Sequence, residues 1–169
     1  MSAARRERKR YGAALAAAAA SVLAVLPPVV GTPTATAAAS ERLVVDWQSG
    51  LAISGYDPVA YFTDAAPALG SAELELSYGG AIWRFRNEGN RAAFRARPDV
   101  YMPRFGGYDP LGVAHGVAVA GNPMVWRISG ERLFLFYDRA RLRAFDADPA
   151  RMTAAAERKW PGVLHALSQ

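Results

Sequence analysis

The sequence predicts an α+β fold, with two hairpin–helix repeat units forming one antiparallel-sheet domain and helices packed on it. Three observations carry that expectation. The phrase "GYDP" is written twice, at residues 55–58 and 107–110, 52 positions apart. Beyond it the matches settle at an offset of 51: Gly70 with Gly121, Gly79 with Gly130, Phe85 with Phe136, Phe94 with Phe145, Pro98 with Pro149. Self-similarity in fixed order at one spacing is the mark of a repeated unit. Each half also carries a glycine-centred turn between strand-like runs, followed by a segment of helical spacing.

The first 39 residues read as a secretory signal peptide. "MSAARRERKR" is basic, "YGAALAAAAASVLAVL" is sixteen residues without a charge, and "GTPTATAAAS" ends in small residues, with cleavage expected after Ala37 or Ala39. The mature protein is therefore expected to be periplasmic or secreted. The apolar run is shorter than the ~20 residues that span a bilayer, so membrane attachment is expected only through this segment if it stays uncleaved. Arg5–Arg6 raises twin-arginine export as an alternative to the general route, against which Glu7, Arg8 and Lys9 stand where apolar residues would help.

Removing this segment changes the charge argument. The chain holds 20 Lys+Arg and 15 Asp+Glu, of which residues 1–39 contain five and one, leaving 15 against 14. A near-neutral mature chain offers no long-range attraction for nucleic acid. One local excess remains, Arg84, Arg86, Arg91, Arg95, Arg97 and Arg104 against Glu88 and Asp99, read as a solvated face. An exported chain without Cys has no disulfide framework and no thiolate site, so burial must stabilise it. Trp47, Trp83, Trp126 and Trp160 supply large apolar side chains.

Residues 40–50 are expected to form a linker, 51–162 the folded domain (repeats about 55–106 and 107–160), and 163–169 a tail. In the first repeat, "ELELSYGGAIWRFR" is two strands joined at Gly79–Gly80, with Trp83 and Phe85 on one face and Ile82, Arg84 and Arg86 on the other. A helix over about 88–97 follows, with Asn87 as N-cap. In the second, "PMVWRISGERLFLFY" turns at Ser129–Gly130–Glu131, and Leu133 and Leu135 alternate with Phe134 and Phe136. Its helix covers about 139–147, capped by Asp138, with Leu142 and Phe145 on one face. Asp57–Pro58, Asp109–Pro110 and Asp148–Pro149 each read as helix starts: Asp accepts from free first-turn amides, and Pro has no amide to lose.

The motifs "GYDPVAYF", "GGAIWRF", "NRAAF", "YMPRFGGY" and "NPMVWRISGERLFLFY", in this order from about Leu51 to Gly162, resemble those of exported YHS-domain proteins. The resemblance implies a small exported binding module and a suspected metal-handling role, centred on a Cys and Ala after "GGY". Here Asp109 and Pro110 stand in their place, so the chain reads as a divergent branch in which no soft-metal site can rest on that Cys.

Candidate chemistry is sparse. No Ser stands in a G-x-S-x-G elbow, and no catalytic residue is assigned. The sharpest ligand-binding candidates are Tyr56 with Asp57 and Tyr108 with Asp109, equivalent positions that would face each other across a cleft if the repeats are related by a local twofold axis. His115 joins them, although Asp109 and His115, six residues apart, would lie about 120° apart around a helix. The bland alternatives are that both Asp are helix caps and that His115, before Gly116, is a last-turn residue. His165 is expected on the surface. The sequence names no cofactor. The partners it allows are a small ligand or a hard metal ion. The function expected is non-enzymatic binding; the alternatives are a small hydrolase or other enzyme using Asp109 and His115, or a protein-interaction scaffold presenting the arginine face.

Overall fold

The computed structural model describes residues 42–169. The expected signal peptide lies outside them. The fold is α+β. A short left-handed turn at Ile53–Gly55 leads to α1 (Ala60–Thr63). The hairpin β1 (Ser71–Tyr78) and β2 (Ala81–Phe85) follows, then α2 (Glu88–Ala96) and α3 (Pro98–Tyr101). A second left-handed turn at Arg104–Gly107 opens the other half, with α4 (Pro110–Ala114), β3 (Asn122–Ser129), β4 (Arg132–Phe136), α5 (Arg139–Ala147) and α6 (Pro149–Leu167).

The two hairpins share one register. Ser71 pairs with Phe85 and Asn122 with Phe136, and each first strand then bulges before regular pairing resumes, at Glu75–Arg84 and at Trp126–Leu135. Their turns hold paired left-handed residues, Gly79 and Gly80 in one and Gly130 and Glu131 in the other, the geometry that matches the twist of flanking strands. The expectation of one antiparallel sheet is corrected: the hairpins form two separate two-stranded sheets. The outer edge of β2 is filled by residues 50–52, with Ala52 N–H donating to the Ile82 carbonyl at 2.8 Å and Ile82 N–H to the Gly50 carbonyl at 3.0 Å. No edge is left there for the second hairpin, which packs side chain against side chain.

That packing makes β4 a shared wall. Leu133 and Leu135 enter a cluster with Trp83, Phe85, Phe94 and Tyr61; Phe134 and Phe136 enter a second with Phe105, Val113 and Phe145. Successive strand side chains point to opposite faces, so the unbroken apolar run Leu133–Phe136 serves a core on each side. Tyr61 also links the halves, donating its hydroxyl to the Pro123 carbonyl at 3.0 Å and meeting Trp126 edge-on at 5.3 Å.

The helix caps follow the sequence reading. Asn87, Asp138 and Asp148 each accept a hydrogen bond from the backbone N–H three residues on. Two boundaries differ. Residues 43–45, expected as linker, belong to the fold: Leu43 is buried and Val44 N–H donates to the Gly106 carbonyl at 2.8 Å. Residues 163–167, expected as tail, complete α6 with Val163 buried against the second core. Pro161, a residue that ordinarily ends a helix, stands inside this one and interrupts the stripe of Met152, Ala156, Trp160, Val163 and Leu167 in the sequence.

Candidate functional site

Each "GYDP" phrase leaves a turn of three consecutive left-handed residues, Ile53–Ser54–Gly55 (φ 42°, 54°, 79°) and Phe105–Gly106–Gly107 (φ 55°, 62°, 88°). The following Tyr N–H closes the turn onto the residue three before it, at 3.1 Å for Tyr56 and 3.0 Å for Tyr108. A non-glycine residue in this region costs about 1–2 kcal/mol. Ile53 and Phe105 are buried, and burying such a side chain contributes about 1.5–3 kcal/mol, enough to offset the strain.

The turns deliver Asp57 and Asp109 to equivalent, fully buried positions. Asp57 accepts from the backbone N–H groups of Val59 (2.8 Å) and Arg86 (2.9 Å) and from the Asn90 side-chain amide (2.6 Å). Asp109 accepts from the N–H groups of Gly112 (2.8 Å) and Tyr137 (2.9 Å) and from the Arg141 guanidinium (3.0 Å). Arg86 and Tyr137 stand 51 apart, as do Asn90 and Arg141. Each carboxylate therefore ties the entry turn to the end of its hairpin and to the first turn of the next helix. Buried charge is tolerated where hydrogen bonds satisfy it, and bonds to an ionised acceptor are the strong ones.

The expectation that Tyr56, Asp57, Tyr108, Asp109 and His115 line one ligand pocket is corrected by this geometry. Among the described residues the carboxylates share no partner, each being bound within its own half, and both are fully buried. Tyr56 packs on the first core, and the Tyr108 ring lies 6.1 Å from Trp160. His115 is exposed at the end of α4, its Nδ1 2.7 Å from the Leu111 carbonyl. Asp109 caps the start of that helix, and among the described residues no hydrogen bond joins the two. The first Asp–Pro corner differs slightly from its expected role: Asp57 bonds the N–H two residues on, and regular helix begins only at Ala60. His165 is exposed, as is most of α6 around it.

Among the described residues no three His, Asp or Glu side chains form a group that could hold a metal ion. The arginine face is largely paired, Arg84 with Glu75 (2.8 Å), Arg91 with Glu88 (2.7 Å), Arg86 with Asp64 and Arg104 with Glu157. Exposed pairs of this kind contribute little stability.

Open concavities lie instead along α6. One, of about 460 Å³, is lined by Leu43, Tyr78, Met102, Pro103, Trp160 and Leu164 together with Arg42. Another, of about 630 Å³, lies at the second hairpin turn and the beginning of α6, and contains Arg104 and Arg132. Sequence reading missed both. Trp160 and Leu164 are four apart, a helical spacing that could have flagged the first. Arg132 stands 51 residues after Ala81, at the spacing of the matched positions, and the change of residue type there could have flagged the second. Comparison of the chain with protein-family profiles, curated proteins and solved structures finds no match in any of the three.

Proposed function

We propose that this chain is an exported binding module of the YHS-domain type, a tandem duplicate that carries a small apolar ligand and performs no reaction on it. The observation that carries the reading is the groove at Trp160. Its volume, about 460 Å³, falls within the range of small-molecule sites, and such sites combine apolar and aromatic walls with a few polar groups. Arg42 supplies the polar group and favours a ligand with one acidic substituent. The reading of non-catalysis draws support from the carboxylates. A general acid or base must reach its substrate, and Asp57 and Asp109 are enclosed and engaged in structural bonds.

The test is native mass spectrometry of the protein purified from its own cell envelope, with Trp fluorescence titration of the stripped protein. A non-covalent adduct of small-molecule mass is expected, lost in Leu164→Glu, which puts a carboxylate in the groove. An adduct retained by Leu164→Glu, or a bare mass with no fluorescence response to aromatic and branched-chain carboxylates, would overturn the reading.

A further inference from the structure

The 630 Å³ cleft lies between the β3–β4 turn and the first turns of α6, and its walls include Arg104, Ser129, Arg132, Phe134, Thr153 and Glu157. Its two guanidiniums are unequally served. Arg104 is held by Glu157. Arg132 has no carboxylate in ion-pair range among the described residues, and its Nε is buried without a hydrogen-bond partner. Burial, and then the nearby charge of Arg104, lower the Arg132 pKa from its ordinary value, while Asp99 acts in the opposite sense. Arginine stays protonated at any physiological pH, so a positive charge is retained here at a cost. The corresponding residue in the first half, Ala81, carries no such charge and is buried without penalty.

A guanidinium without a carboxylate partner, standing beside a like charge on a cleft wall, is a configuration that an anion in the cleft would relieve. The start of α6 is not what supplies the site, because Asp148 already caps it, accepting from Arg151 N–H at 3.0 Å. The donors are the guanidiniums, whose planar forks suit tetrahedral oxyanions, with the hydroxyls of Ser129 and Thr153 on the same walls. We propose that this cleft binds a phosphate or sulfate group, with Arg132 as its principal donor and Arg104 as the second. The site is independent of the Trp160 groove.

The experiment is isothermal titration and thermal shift of the leader-processed protein with inorganic phosphate and sulfate, against sodium chloride at matched ionic strength. The wild type is expected to bind phosphate, with a Tm rise beyond the chloride control. Arg132→Gln should weaken binding at least tenfold. Glu157→Gln, which releases Arg104 from its carboxylate, should tighten binding several-fold; a merely structural arginine pair would not give these opposite effects. Should Arg132→Gln fail to fold, Arg104→Gln reads the same site. Vesicles of phosphatidic acid in phosphatidylcholine form the second arm: capture that free phosphate displaces assigns the site to a lipid phosphate headgroup, and phosphate binding without capture assigns it to a soluble ion or ester. No response to phosphate or sulfate beyond chloride, or a response unchanged in Arg132→Gln, overturns the proposal. Leu164→Glu should keep the phosphate response, so failure here and failure of the groove reading are separable.

Discussion

Asp109 is the residue on which the second half turns. Three donors converge on one buried carboxylate, and one of them is a guanidinium. Asp109→Asn keeps the shape but removes the charge and leaves Arg141 without its partner. We expect a loss of about 3 kcal/mol, from bonds to charged groups worth about 1.5–3 kcal/mol each in net terms. In a domain of this size that lowers Tm by about 10 °C, read by thermal denaturation. Tyr61 gives a different signature. Burial, then the nearby Tyr56 and Asp57, push its pKa well above the ordinary 10.0. The folded chain therefore holds the phenol proton where the unfolded chain releases it. The stability this contributes is complete below about pH 10 and is lost as pH rises further. Tyr61→Phe should flatten that alkaline decline in denaturant titrations, while costing about 1 kcal/mol at neutral pH through the lost Pro123 bond.

At the scale of elements, turns and hairpins were the most legible parts. Gly79–Gly80 and Gly130–Glu131 announced their turns, and Asn87, Asp138 and Asp148 announced their helices, because turn and cap chemistry is local. The left-handed entry turns were not legible, since Ile53 and Phe105 are residues that disfavour that conformation and adopt it only because tertiary burial holds them there. Ser54 is exposed in its turn, and the equivalent residue in the other is Gly106. Ser54→Gly should therefore raise stability by up to about 1 kcal/mol, a Tm gain of a few degrees. The repeated glycines have a different reason. A Cβ on Gly121 would stand 2.6 Å from Leu135 Cβ and 2.7 Å from the Gly107 carbonyl oxygen; on Gly70 it would stand 2.4 Å from the Arg84 backbone. Gly121→Ala should cost about 3 kcal/mol, at the upper end of overpacking, measured by chemical denaturation.

For the whole molecule, the α+β class could be read from the pattern of periodicities, but the number of sheets could not. Whether two hairpins merge depends on which backbone reaches the β2 edge first, and residues 50–52, expected as the end of a linker and the start of the domain, take it. The candidate site was misplaced for a related reason. Sequence identifies Asp57 and Asp109 as special without revealing whether their carboxylates face inward or outward, and inward bonds to Asn90 and Arg141 consume them. The Trp160 groove and the Arg132 cleft depend on α6, a long helix where the first half has only the short α3 after Pro98. Repetition drew attention to what the halves share, whereas these two clefts lie where they differ.

Strand β4 gives each face to a different cluster of buried side chains. Neither half can then melt without stripping one side of the same four residues, Leu133–Phe136. The domain should behave as a single cooperative block despite its doubled layout, with one calorimetric transition and van't Hoff and calorimetric enthalpies in agreement. Its slowest-exchanging amides should be those of Leu133–Phe136, opening only with global unfolding.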